Sequence, residues 1–148
     1  MRVILQRVSR ASVKVDDKIV GSIKNGLLLL VGVTKDDDYS DAEYMVKKIL
    51  NLRIFTDEND KMNKSLLDNN FEILSISQFT LFANTSKGNR PSFTDAAPPE
   101  HAKEIYEFFN QKIKNMKIRI ETGIFAASMQ VELINDGPVT ILLDSKNR

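Results

Sequence analysis

The segment Asn25-Gly-Leu-Leu-Leu-Leu-Val-Gly-Val33 constrains this chain more than any other. Leu27 to Val33 never alternates with polar residues, and a strand without alternation needs cover on both faces. Asn25-Gly26 ahead of it is a tight-turn signal, because both residues tolerate positive φ. The run therefore reads as a strand buried on both faces and entered from a hairpin. It is no membrane span: its longest stretch, Leu27 to Val31, falls far short of the roughly 20 apolar residues a spanning helix needs.

The flanking segments supply the layers that such a strand requires. Arg2 to Val15 ends in strand alternation, and Asp16-Asp17 turns it into a returning strand, Lys18 to Ile23. Ser40-Asp-Ala-Glu43 has capping-box spacing, so a helix is predicted over Asp41 to Asn51 with Ala42, Met45, Val46 and Ile49 inward. Leu52 to Thr56 reads as a strand, Asp57 to Asn63 as a loop, and Phe71 to Leu81 as a strand. Ala83 to Ala97 is rich in Asn, Ser, Gly, Pro and Asp and reads as an ordered loop with function in mind. Pro98-Pro99 opens a second helix, whose apolar face is Ala102, Ile105, Tyr106, Phe109, Ile113 and Met116. Three strand candidates close the chain: Lys117 to Thr122, Ser128 to Ile134 and Val139 to Leu143. This order predicts an α+β domain with a curved, barrel-like, mostly antiparallel sheet and two main helices.

Composition removes several kinds of chemistry. The 148 residues suit one domain spanning 1–148. There is no cysteine, hence no disulfide, thiolate zinc site or cysteine nucleophile. The single histidine, His101, sits in the first turn of the second helix and cannot form a multi-histidine metal site; no metal and no cofactor are expected. Lys and Arg total 21 against 20 Asp and Glu, which argues against a strongly basic nucleic-acid binder but leaves room for a local patch. Gln6 and Arg7 interrupt the first apolar stretch where a signal peptide would continue, so a cytoplasmic protein away from membranes is expected. The run Asp36-Asp37-Asp38 reads as solvating its loop and favouring the first helix's N-terminus.

Three features could carry function. Ser77-Gln-Phe-Thr-Leu81 places polar groups in an apolar strand, where each unpaired hydroxyl or amide costs on the order of 1–3 kcal/mol; they are either a strand end bonded to its own backbone or part of a site. Asn135-Asp-Gly-Pro-Val-Thr140 reads as a hairpin turn, although Pro138 removes a ladder donor and opens the option of a cis bond. Arg2, Arg7, Arg10 and Lys14, and separately Lys87 and Arg90, are solvated charge or phosphate contacts.

Taken together, Ser77-Gln-Phe-Thr-Leu81 and Asn135-Asp-Gly-Pro-Val-Thr140 resemble the two signatures of the D-aminoacyl-tRNA deacylase family. The resemblance runs through Met1 to Val8, Gly88 to Phe93 and Thr122 to Met129; one departure is Ser128, where the family often has Asp. It implies hydrolysis of the ester joining a D-amino acid, or mischarged glycine, to the 3′ end of tRNA. It also implies a homodimer with two interface sites, in which the Ser77–Leu81 strand of one subunit faces a Gly137–cis-Pro138 turn of the other.

An aminoacyl ester is already activated, so a positioned water and a stabilised oxyanion suffice. Backbone N–H groups around Phe79 and Thr80 are the expected oxyanion donors, with Ser77 and Gln78 holding the strand end. The tRNA 2′-hydroxyl is expected to assist the water; Thr80 as covalent nucleophile is the second choice, since no base adjoins it in sequence. Arg7 is the candidate for pinning the turn by charge-assisted hydrogen bonds, and Phe125 and Met129 for packing the terminal adenine. Two competitors remain: a non-catalytic nucleic-acid-binding dimer using Lys87, Arg90 and the N-terminal arginines, and a hydrolase of free D-amino-acid esters.

Overall fold

A computed structural model describes Met1–Arg148, and its organising element is the first strand, β1 (Arg2–Val15). One edge of β1 pairs antiparallel with the last strand, β8 (Gln130–Asp144), from Arg2↔Asp144 to Lys14↔Gln130. The other edge is shared: β3 (Gly26–Gly32) takes Arg2 to Val8, and β2 (Lys18–Ile23) takes Ala11 to Val15. Beyond β3 come β6 (Glu72–Ser77) and β7 (Ile120–Thr122), both in parallel pairings. The sheet then curls back on itself. A Cβ added at Gly21 of β2 would lie 3.0 Å from the Thr122 carbonyl at the end of β7.

The sheet is therefore mixed: three of its five pairings are antiparallel, as expected for most of it, and β3–β6 and β6–β7 are parallel. Parallel neighbours need crossovers of a dozen or more residues, and the two long helices serve in them: α1 (Tyr39–Asn51) between β3 and β6, and α3 (Pro99–Asn115) between β6 and β7. The predicted strand over 52–56 is only Phe55–Thr56, β4; it pairs with β5 (Met62–Lys64), part of which was expected to be loop. A one-turn helix, α2 (Leu66–Asn69), follows. These short pieces carry too few residues for a periodic signal.

The apolar run of β3 is covered on both faces. Leu27, Leu29 and Val31 join the core under α1 and α3, with Phe109, Met45 and Ile49. Leu28 faces the barrel interior with Val8, Val13, Leu74 and Ile76. Met116, expected on the apolar face of α3, is 55% exposed because the helix ends at Asn115.

The start of α1 also differs from expectation. Its cap is Asp38, whose carboxylate accepts the N–H groups of Ser40 and Asp41, while Asp41 reaches back to the Asp38 N–H. Aspartate accepts through either oxygen, so it competes well with Ser40 for the cap. Asp37 does not solvate the loop. It is buried against the Met1 ammonium group and accepts the Thr34 N–H at 2.7 Å. Next to it, Asp41 binds Lys146 at 2.7 Å and Arg148 at 3.1 Å, tying the end of the chain to α1.

Burial alone would raise the Asp41 carboxyl, but hydrogen bonds from Lys146, the Asp38 N–H, Ser145 and Arg148 outweigh it and hold the group well below its ordinary 3.8. A depressed folded-state value contributes stability above the unfolded value, and that contribution is lost as pH falls through the folded one. Asp41→Asn is therefore expected to lower the melting temperature at pH 7 and to flatten its decline below about pH 4. Thermal melts of both proteins from pH 7 to pH 3 check this.

Candidate active site

β6 does not run to Leu81. It ends at Ser77, and Phe79–Phe82 form a single 3-10 turn after Gln78. The Gln78 N–H still reaches the Val31 carbonyl at 2.8 Å, and the first bond inside the turn is Leu81 N–H to Gln78 O at 3.4 Å. The amides of Phe79 and Thr80 thus fall in a first turn, where N–H groups lack intrahelical partners. The Gln78 amide Nε2 donates to the Thr80 hydroxyl at 2.5 Å. An amide N–H cannot take a proton, so this contact orients Thr80 without activating it. His101 is engaged elsewhere, with Nε2 2.9 Å from the Asp37 carbonyl. No group of three or more acidic or histidine side chains converges as a metal site would require.

A mostly apolar cavity of about 640 Å³ opens beside this strand end. Such a volume suits a small organic ligand. Ser77, Gln78 and Phe79 line one side, and Phe125 and Met129 another, with Phe93 and Thr94 from the loop over 83–97. Phe79, 54% exposed, meets Phe93 edge-on at 5.0 Å and forms a rim. Thr80 does not line the cavity and is exposed.

Arg7, Gly137 and Pro138 are not there. The expected hairpin at 135–140 is absent, because both halves of the segment pair with β1 as one strand. Gln6 faces Thr140 and Val8 faces Asn135, so Asp136–Val139 bulge out opposite Arg7. The Gly137–Pro138 bond is cis, and Gly137 has φ of +122°. Asn135 closes the neck of the bulge: its Nδ2 donates to the Arg7 and Val139 carbonyls, both at 3.0 Å. Arg7, 12% exposed, pairs with the Asp136 carboxylate at 3.0 Å and donates to the Asp136 carbonyl at 3.3 Å and the Ile54 carbonyl at 2.7 Å. Ser77 is level with Val31 along β3, and Arg7 with Leu27. The two signatures lie three strand spacings apart, roughly 14 Å, and roughly 13 Å offset along the strands. One chain does not bring them together.

β8 itself is an open edge, with β1 its one partner. Ile134 and Leu142 are exposed, and the inward-pointing Val131, Leu133, Val139, Ile141 and Leu143 are only half-buried. The N-terminal arginines are taken: Arg2 by Asp144, Arg7 by Asp136 and Arg10 by Glu132.

The comparisons are consistent throughout the chain. The family model D-Tyr-tRNA(Tyr) deacylase matches residues 4–144. The chain belongs to that family. It is 58% identical to proteins named D-aminoacyl-tRNA deacylase from Thermosipho africanus (strain TCF52B) and Koribacter versatilis (strain Ellin345), in each case over 99% of this chain and 98% of the relative. Among solved structures, it resembles "c-Myc DNA Unwinding Element Binding Protein" with a TM-score of 0.91 at 43% identity, covering 97% of this chain and 98% of that one.

The residue that sequence periodicity hides in this family member is Tyr106, placed simply on an apolar helix face. Its ring packs near Phe125, with centroids 6.1 Å apart, and its hydroxyl donates to the Ser75 carbonyl at 2.8 Å. That carbonyl also accepts the Gly123 N–H at 3.2 Å. Tyr106 thus ties both walls of the cavity to α3. Burial pushes its phenol above the usual value, so it stays a neutral donor. Beside it, the buried Ser75 Oγ and Asn110 Oδ1 lack protein partners. Tyr106→Phe is expected to cost about 1 kcal/mol, a fall of roughly 3 °C for a domain of this size, measurable by thermal melting.

Proposed function

We propose that this protein hydrolyses the ester of D-aminoacyl-tRNA, and of glycine mischarged on tRNA, releasing the free amino acid and tRNA in the cytoplasm. The observation that carries the chemistry is the pairing of Thr80 with the Gln78 amide in a site without any adjacent base. Such a site has polar positioning groups but no means of generating a strong nucleophile. The substrate's ribose 2′-hydroxyl fills that role by orienting the attacking water, and the amides of Phe79 and Thr80 receive the developing oxyanion. Phe125 and Met129, on the cavity wall, hold the terminal adenine by apolar contact. No helix is long and apolar enough to cross a membrane.

In this reading the working unit is a homodimer, and the Gly137–Pro138 bulge of one copy enters the cavity of the other as a backbone filter against L-amino acids. Three observations support it: the two signatures are far apart in one chain, the bulge is exposed, and the long β8 edge is unpaired with exposed Ile134 and Leu142. A second reading, a protein that grips nucleic acid without chemistry, is favoured by the name of the 43%-identical structural relative. Incubation with D-tyrosyl-tRNA separates the two. Loss of ester supports the deacylase; retardation on a gel with the ester intact supports the binder.

Two outcomes follow from the geometry. Thr80→Ala is expected to retain most single-turnover activity, while a tRNA ending in 2′-deoxyadenosine is cleaved at least about 100-fold more slowly, the scale on which positioned proton transfer contributes. A trapped acyl-Thr80 ester contradicts this. Gly137→Ala is expected to slow cleavage of D-tyrosyl-tRNA, because the new Cβ would lie 2.8 Å from Val139 Cγ2 and 3.0 Å from Arg7 Nη2 at a φ that disfavours side chains. Rates on D- and L-tyrosyl-tRNA, with folding checked by circular dichroism, measure it.

A further inference from the structure

The loop over 83–97 contributes Phe93 and Thr94 to the cavity, but its charged tip has no role in the site as described. No acidic residue lies between Glu72 and Asp95, and the only charges there are Lys87 and Arg90. Arg90 stands apart from the other arginines. Arg2, Arg7, Arg10, Arg119 and Arg148 hold carboxylates, and Arg53 holds the Asn63 side chain and carbonyl. Arg90 has neither a hydrogen-bond nor an ionic partner, and Lys87 has none either.

The base of the loop is nevertheless fixed. Asn84 and Ser92 exchange backbone hydrogen bonds at 2.8 and 2.9 Å, and Ser86 turns back onto the Asn84 side chain at 3.0 Å. Further on, Ala97 N–H reaches the Val33 carbonyl at 2.9 Å, and the Thr34 hydroxyl donates to the Asp95 carbonyl at 2.6 Å. Arg90 therefore projects from a defined position, two residues before a pinned strand bridge and three before the Phe93 rim. Around the tip there is open space: a Cβ at Gly88 would meet nothing within 4 Å.

We propose that Arg90, with Lys87, forms a phosphate-binding subsite for the tRNA backbone next to the terminal nucleotide. This rests on the deacylase reading. With the terminal adenosine in the cavity, the chain of nucleotides leaves past the Phe79–Phe93 rim, where an unpaired guanidinium and an ammonium await an anion. Arginine's planar fork suits phosphate oxygens, and such contacts position the nucleic acid without reading its sequence.

The test compares two substrates: D-tyrosyl-tRNA, and D-tyrosyl-adenosine, which has the same ester and base but no phosphate. Arg90→Ala is expected to raise KM for the tRNA about fivefold with kcat kept. The dependence of log(kcat/KM) on log salt should lose about 0.7–0.9 in slope per missing phosphate contact. Cleavage of D-tyrosyl-adenosine should be unchanged, and Arg90→Lys should restore most of the salt slope. An unchanged KM and slope on tRNA overturns the subsite. So does an equal loss on both substrates, which would mean that the loop merely shapes the cavity. A parent protein that cleaves neither substrate defeats the deacylase reading itself, and this proposal with it.

Discussion

Everything in this structure hangs on the ladder between β1 and β8. β1 is paired along its whole length on that side, and it divides its other edge between β2 and β3. The ladder has a small register shift between Val8 and Arg10 and one wide interruption, where Asp136–Val139 swell out opposite Arg7. The interruption is held by charge and amide groups. Arg7 binds the bulge on one flank and the Ile54 carbonyl on the other, and Asn135 spans the neck. Charge-assisted bonds of this kind are about twice as strong as neutral ones, which suits a short backbone segment displayed at the surface in one conformation. The same ladder leaves β8 with a free edge and a half-covered inner face.

The chemistry is as spare as the composition. A chain with no cysteine and one histidine, itself bound to the Asp37 carbonyl, has little from which to build a nucleophile. What it places at the cavity mouth are amides, hydroxyls and aromatic edges. Those groups orient and stabilise; they do not activate. In the proposed reading the substrate brings its own reactivity, an activated aminoacyl ester beside a ribose hydroxyl. Tyr106 adds rigidity from behind, because one hydroxyl holds the carbonyl that β6 and the segment after β7 share.

The parts legible in the sequence were those with a period or a composition to read. The strand at Leu27–Val33 and the inward faces of α1 and α3 are long enough to show their repeats. The parallel pairings were not legible, since strand order in a sheet is set by crossover geometry and not by any local residue pattern. Asp37 looked like a solvated loop residue because nothing local announces the Met1 ammonium group that buries it. The bulge at 136–139 reads as a hairpin for a related reason: Asp-Gly flanked by strands has the local chemistry of a hairpin, and only the shared partner β1 makes the two halves one strand. Ser77, Gln78, Phe79, Phe125 and Met129 do meet around one cavity. Arg7, Gly137 and Pro138 lie at the other end of the sheet, a separation that no motif spacing encodes.

That separation leads to the central claim, that one cavity is completed by a second copy of the chain. Subunit mixing tests it directly. One parent carries Gln78→Ala and Phe79→Ala, which strip the cavity wall; the other carries a substitution at Gly137 in the bulge. Each is assayed alone on D-tyrosyl-tRNA, and then after the two are unfolded together and refolded as an equal mixture. In a two-fold dimer each mixed pair regains one site with both parts intact, so activity should rise well above either parent, toward about a quarter of the unmodified protein's. A mixture no more active than the average of its two parents would contradict the claim and place the whole site within one chain.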